Sequence, residues 1–466
     1  RKIFAPRTRF LYKNICGRQG YGKIFAFCVQ KCDVLRLNGK NYGKNSVRRT
    51  IFMNPFKERS KSLENNFLPL KKMYPKSYNK EKTSPYTKTR VILMNGTEFE
   101  SAWFMHQFAR HCDIPEVKQA LAVVRRQEQQ QQKRISCLKP ISESILETTI
   151  GYEQLAVDLT ATLAIHEKDE NNIKALNFAL LEDFDHLYRY ANLLKMDKGI
   201  DADMLVGKFT EIMPGRPTIA EHRFPADEVK PHIDCKTADL YSKLVVNTIT
   251  AAEQQTMNYY MNIAQWYKND LGRRLYAEIA MIEEAHVTQY ESLKDPNTSW
   301  LEMWVMHEYT ECWLYYSMYE DESDENIKRI WMEHYKMETA HLKTAAALLK
   351  KYEKKSYEEV VGSGEFPRLL KLGSNKEYIR KVLKETITLT MKDEGYCELS
   401  RLPDDYRFFT FQEKFLSDGT RAPSHLVIEK AIKTWGKDYR YQDGEHPVKS
   451  LRSRESDNVN VGRVKN

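Results

Sequence analysis

Three times in this chain a glutamate is followed thirty positions later by an acidic residue that stands three before a histidine. The sets are Glu153 with Asp183 and His186, Glu253 with Glu283 and His286, and Glu308 with Glu338 and His341. An acid and a histidine at i and i+3 share one face of a helix. In an antiparallel hairpin with a turn of roughly five residues, two positions thirty apart each lie about twelve residues from the turn. At 1.5 Å per residue both then stand about 18 Å above it, side by side. The spacing therefore asks for long helical hairpins, each setting one glutamate beside an acid-x-x-His pair.

The surrounding sequence supplies such hairpins. Apolar residues recur at three and four, as in Val246, Ile249, Met257 and Tyr260. The patterns cover about 141–167 with 170–196, 237–268 with 270–294, and 299–320 with 323–352. Turn residues fall between them at Asp169–Asn172, Asn269–Gly272, Asp295–Ser299 and Asp321–Asp324. Each key acid interrupts an apolar stripe: Glu283 follows Ile279 and Ala280, and Asp183 follows Ala179 and Leu180. An unpaired buried carboxylate costs several kcal/mol, so several together call for a compensating charge. A pair of metal ions is the economical one. Carboxylate and imidazole suit iron or manganese, and one glutamate plus an acid-x-x-His pair is half of a carboxylate-bridged dimetal site. Spacing alone is fallible. Glu413, Asp443 and His446 repeat it, but Pro423, Gly436, Gly444 and Pro447 interrupt any hairpin there. Glu311, one turn beyond Glu308, is a rival for the third set. Tyr152, Tyr260 and Trp304 read as packing residues, and His222 and His232 as structural or exposed ones.

Connection lengths rank the half-sites. Two half-sites facing each other across a bundle need a joining strand that travels its length, roughly 30 Å or about ten extended residues. The segment 197–236, broken by Pro214, Pro217, Pro225 and Pro231, is long enough, with room for one short helix around 202–213. The link near 295–298 is not. The expected closed site is therefore Glu153, Asp183, His186, Glu253, Glu283 and His286. That leaves Glu308, Glu338 and His341 on an extra hairpin, which could pair with the first hairpin or complete a site with another subunit.

Charge divides the chain. Residues 1–93 hold 23 Lys/Arg against 4 Asp/Glu, and the remainder 50 against 60. Three readings of 1–93 stand: a disordered basic arm for nucleic acid or an anionic membrane, a transit-type sequence, or a stretch outside the working protein, with the start at Met94. Helices are expected from Glu98 to about Cys112 and from Pro115 through Val124 into the polar run Glu128–Gln132, read as a solvated face. Together with 94–140 as N-terminal helices and 141–352 as the main helical domain, 353–466 forms a C-terminal part with one amphipathic helix near 375–392 and an irregular, charged tail. No run approaches the roughly 18 apolar residues of a membrane span. Eight scattered cysteines without paired C-x-x-C knuckles suit a reducing, cytoplasmic setting.

The segments Leu181-Glu-Asp-Phe-Asp-His186 and Met281-Ile-Glu-Glu-Ala-His286 resemble the helices of rubrerythrins, within the ferritin-like superfamily. The stretch Pro214-Gly-Arg-Pro-Thr-Ile-Ala-Glu-His222 is similar to the crossover of uncharacterised bacterial ferritin-like proteins. The resemblance covers about 141–352. It implies a mainly α, ferritin-like helical bundle with an extra hairpin and irregular N- and C-terminal extensions. It also implies a di-iron, alternatively dimanganese, centre working on oxygen or peroxide as a peroxidase- or ferroxidase-type oxidoreductase, possible homo-oligomers included. Asp183 stands where the family usually has glutamate, and no rubredoxin-like cysteine pairs follow. Two other readings are an iron-binding or storage protein without turnover and a metal-free helical interaction protein.

Overall fold

The computed structural model describes residues 53–217, 223–416 and 421–461, and the protein is mainly helical. Eight long helices come first: α1 (Pro85–Arg110), α2 (Pro115–Ser136), α3 (Ile145–His166), α4 (Glu170–Lys198), α5 (Leu240–Ala264), α6 (Asp270–Glu291), α7 (Trp300–Asp321) and α8 (Glu325–Glu353). They are followed by α9 (Glu358–Val361), α10 (Lys376–Thr386), the strands β1 (Leu389–Lys392) and β2 (Gly395–Glu398), α11 (Arg407–Phe415) and α12 (Pro423–Trp435).

Local chemistry sets the helix starts. Ser144 opens α3 with a capping box, its hydroxyl accepting from Glu147 N while the Glu147 carboxylate accepts from Ser144 N. Ser299 and Glu302 do the same for α7. Asp169 caps α4 and Asp324 caps α8, each accepting two backbone N–H groups. Proline takes the first turn of α1 and α2, and Gly199 ends α4 at φ 66°.

Consecutive helices pair as four antiparallel hairpins, α1–α2, α3–α4, α5–α6 and α7–α8. The α3–α4 and α5–α6 hairpins face each other as one bundle. The α7–α8 hairpin faces α1–α2 as a second, and α1 forms the seam by also packing on α3 and α5. The first bundle is thus inserted between the two halves of the second. The expectation of an extra hairpin, paired with the first hairpin or with another subunit, is corrected: its partner is the N-terminal hairpin.

The boundary placed at Met94 is corrected too. It falls inside α1, where Leu93 and Met94 are fully buried, and described residues from Met53 onward pack on the same core. The remaining part of the basic stretch, with the nucleic-acid reading attached to it, lies outside the described residues.

The crossover from α4 to α5 is extended, as expected, but the short helix at 202–213 shrinks to a single 3-10 turn, Ala202–Met204. Side-chain and backbone bonds hold the strand on α4 instead. Arg216 N donates to Leu181 O at 2.9 Å and Gly215 N to Asp185 at 3.0 Å. A Cβ on Gly215 would lie 2.3 Å from Leu181 O, so only glycine permits this approach. Beyond α8, the helix expected over 375–392 stops at Thr386, and Leu389–Glu398 forms a hairpin of strands. The tail wraps the first bundle, with α10 on α3 and α4 and α12 on α4 and α6. Among the described residues no helix is long and apolar enough to cross a membrane.

Candidate metal centre

The six residues expected to close one site do converge. Glu153 comes from α3, Asp183 and His186 from α4, Glu253 from α5, and Glu283 and His286 from α6. All are buried. They form two overlapping groups, Glu153–Asp183–His186–Glu283 and Asp183–Glu253–Glu283–His286, in each of which one donor atom per residue lies within 4.8 Å of the others. Asp183 and Glu283 belong to both groups, Glu153 and His186 to the first alone, and Glu253 and His286 to the second alone.

The distances show how the side chains are aimed. His186 Nδ1 is 3.0 Å from Glu283 Oε1. His286 Nδ1 is 3.2 Å from Asp183 Oδ1, 3.3 Å from Glu283 Oε2 and 3.8 Å from Glu253 Oε2. Both oxygens of Asp183, Glu253 and Glu283, together with Glu153 Oε2, His186 Nδ1 and His286 Nδ1, have no partner in hydrogen-bond geometry. Buried polar atoms are normally satisfied, so such a concentration of unsatisfied donors and acceptors at one point fits a cation that would bind them all.

Electrostatics agrees. Burial and then neighbouring acids drive Glu153 and Glu253 well above the ordinary carboxylate range, and burial raises Asp183 against the opposing pull of His286. Burial also pushes on Glu283, but the imidazoles of His186 and His286 bring it below that range. Burial works against a charged His286, yet Asp183, Glu182 and Glu253 hold its pKa well above that of free imidazole. The cluster carries more acids than cations and needs positive charge at its middle.

Two surrounding residues take part that the sequence ranked below the six, Glu182 for its more polar neighbours at three and four and Tyr260 as a packing residue. Glu182 is buried, and its carboxylate meets His286 Nε2 at 2.8 Å and Arg223 Nη1 at 2.5 Å. It therefore fixes the imidazole with Nδ1 toward the acids, the usual way a metal-binding histidine is oriented. Its only sequence signal is its place beside Asp183. Tyr260, read as packing, donates to Glu153 Oε1 at 2.5 Å, and burial followed by Glu153 keeps the phenol protonated.

The third set does not join this centre. Glu308, Glu338 and His341 meet Glu128 of α2, and Glu311 meets Glu98 and Glu128. The polar run Glu128–Gln132 is a solvated face only in part: Gln129 is exposed, but Glu128 and Gln131 are fully buried. Glu98 stands thirty before Glu128, with Gln131 where the other sets have histidine. The thirty-residue spacing is thus present in the sequence here too, without the histidine that marks the other sets. Of the remaining histidines, His232 is exposed and His222 lies outside the described residues. His446 is a structural residue, holding Pro214 O through Nε2 and accepting from Val448 N.

The fold and the site define a helical-bundle protein with buried carboxylate–histidine clusters able to hold metal. Compared with known proteins, the chain matches no family model, no curated protein and no solved structure.

Proposed function

We propose that the α3–α6 cluster is a dimetal-carboxylate centre of the ferritin-like kind, taking iron or alternatively manganese, and that the protein acts in oxygen or peroxide redox chemistry or iron oxidation. The observation that carries this reading is the convergence of unsatisfied, buried donor atoms from six residues on four helices. Asp183 and Glu283 would bridge, and Glu153, His186, Glu253 and His286 would cap. When bound, such a metal pair would supply electrons to an oxidant at open coordination positions.

The chain's own residues prepare that chemistry. Glu182 holds His286 in the tautomer that leaves Nδ1 free. Tyr260 holds its phenol proton toward Glu153, with the two oxygens 2.5 Å apart. The tyrosines Tyr190, Tyr260 and Tyr276 and the crossover strand keep bulk water out. Asp183, shorter than the glutamate at the corresponding place on α6, reaches less far and sets the spacing between the two positions. The cytoplasm is the setting we propose for it, the free cysteines among the described residues suiting a reducing compartment.

Metal analysis of the full chain after anaerobic iron(II) or manganese(II) reconstitution tests the proposal. Ions lost on Glu283→Gln substitution, together with consumption of peroxide or oxygen by the loaded protein, are the expected results. Binding without turnover would favour storage. A metal count that Glu283→Gln leaves unchanged would refute the centre.

A further inference from the structure

The second bundle repeats the first in register. Glu98, Glu128 and Gln131 stand fifty-five positions before Glu153, Asp183 and His186, and Glu308, Glu338 and His341 stand fifty-five after Glu253, Glu283 and His286. The supporting contacts repeat as well. His341 turns Nε2 to Gln127 Oε1 at 2.7 Å, as His286 does to Glu182, and each partner immediately precedes the acid of its helix. Tyr315, seven beyond Glu308, donates to Glu98, as Tyr260, seven beyond Glu253, donates to Glu153.

The donors then diverge. Glu128, Glu308, Glu338 and His341 form one buried group with His341 Nδ1 2.8 Å from both Glu128 Oε1 and Glu338 Oε2. This matches Asp183, Glu253, Glu283 and His286 residue for residue. At the other end, histidine is replaced by Gln131, whose amide donates to Glu98 and Glu338. Glu311 enters from α7, where the first bundle has Thr256. Glu98, Glu128 and Glu311 form an all-carboxylate group. Both oxygens of Glu311 and of Glu128, and one each of Glu98 and Glu308, are buried with no partner in hydrogen-bond geometry, the close approach of His341 Nδ1 to Glu128 Oε1 included. Burial followed by neighbouring acids drives Glu98, Glu308 and Glu311 well above the ordinary carboxylate range.

We propose that α1, α2, α7 and α8 hold a second dimetal centre, chemically unlike the first. One position combines histidine and carboxylates, and the other is built from carboxylates alone and takes a hard divalent cation such as manganese(II). Imidazole favours iron and zinc, whereas all-oxygen sites suit manganese, magnesium and calcium. A surface cavity approaches this second position, separated from it by His307. His307 Nε2 lies 3.7 Å from Glu311 Oε1 and its Nδ1 3.4 Å from Glu100 Oε2, and both Glu100 and His307 line this cavity with Phe104 and Met306. The first centre has no counterpart of Glu311 on α5, so its two positions are more nearly alike.

The test is a titration of the metal-free full chain with manganese(II) and, anaerobically, with iron(II), counting ions after equilibrium dialysis. The expected count is four per chain for saturating manganese(II). Glu128→Gln, which removes the acid shared by both groups, should leave two. Glu311→Gln, a milder change, should lower the manganese(II) count by one, to three, and leave iron(II) binding at the histidine-bearing position unchanged. Glu283→Gln should still bind two ions at the second centre, so failure of the first centre and failure of the second give different counts. A wild-type count unaffected by both Glu128→Gln and Glu311→Gln would overturn the proposal.

Discussion

His286 points its Nε2 at Glu182, 2.8 Å away, while His341 points its Nε2 at Gln127, 2.7 Å away. The same place in two bundles thus holds a carboxylate in one and an amide in the other. A carboxylate behind a histidine raises the basicity of the ring and its grip on a metal; an amide only orients it. Glu182 also pairs with Arg223, so its charge is fixed on both sides.

Glu182→Gln should therefore give the first bundle the histidine setting of the second. We expect metal affinity at the α3–α6 cluster to fall on the order of 10-fold, measured by chelator competition, with the α1, α2, α7, α8 cluster unaffected. An unchanged affinity would show that Glu182 only packs.

The cluster's excess of acids predicts opposite effects of one substitution on two forms of the protein. Glu253 is buried against Asp183, Glu283 and His286, with neither oxygen in a hydrogen bond. Glu253→Gln keeps the shape and removes the charge. Burial and Asp183 already make ionisation of Glu253 unfavourable in the metal-free protein, so a permanently neutral glutamine should leave the metal-free protein melting at or above the wild-type temperature. Added metal should stabilise the wild type and do little for the variant. Thermal unfolding with and without metal and chelator reads both signs. A metal-free variant less stable than wild type would mean that Glu253 is held by something other than repulsion.

How much of this was legible beforehand follows from which forces act locally. Glu153, Asp183, His186, Glu253, Glu283 and His286 could be brought together on paper because helix rise and turn length fix heights within a hairpin, and the length of the crossover admits their pairing. The rule that facing half-sites need a long connection also holds for the second bundle. Its connection is the whole first bundle, α3 through α6. That half-site went unseen because Gln131 replaces the histidine and because Glu128–Gln132 is polar enough to read as a wet surface. Burial of such a run is decided by α8 and α7 packing over it, a tertiary effect that no local pattern encodes. The break at Met94 misled for a similar reason: composition changes there, but the apolar face of α1 continues across it.

His446, the stray fourth match to the spacing, has a structural task with a pH signature. Burial and then nearby Arg440 lower its pKa to about 4, against hydrogen bonds with Pro214 and Val448. The folded state thus favours the neutral ring. Unfolded, the histidine titrates near 6.5, so between these values the unfolded chain binds the extra proton. The stability His446 contributes is fully present above about pH 6.5 and is lost as the pH falls toward 4, up to roughly 3 kcal/mol. Denaturant midpoints for wild type and His446→Gln across this range should differ in slope, the wild type falling more steeply with acid. Parallel curves would place the acid sensitivity elsewhere.

The seam between the bundles offers a test of how tightly the two clusters are tied. Gly96 of α1 faces Gln255 of α5, two residues from Glu98 and two from Glu253. A Cβ at 96 would lie 2.7 Å from Gln255 Nε2. Gln255 cannot swing away cheaply, because it donates to Ile92 O at 2.9 Å and accepts from Asn95 Nδ2 at 2.7 Å. Alanine inside a helix gains about 1 kcal/mol over glycine, so Gly96→Ala on an open surface would stabilise. Here overpacking, about 1–3 kcal/mol, and two disturbed hydrogen bonds oppose that gain, and we expect a net loss of about 1–2 kcal/mol. The double variant Gly96→Ala, Gln255→Ala removes the amide and Cδ that a Cβ at 96 would strike, but leaves the Cβ of residue 255 only 3.0 Å away, so it should recover part of the loss. Chemical denaturation of the two variants measures the difference. A Gly96→Ala protein more stable than wild type would show that α1 and α5 can move apart, and that the two clusters are less rigidly joined than their shared seam implies.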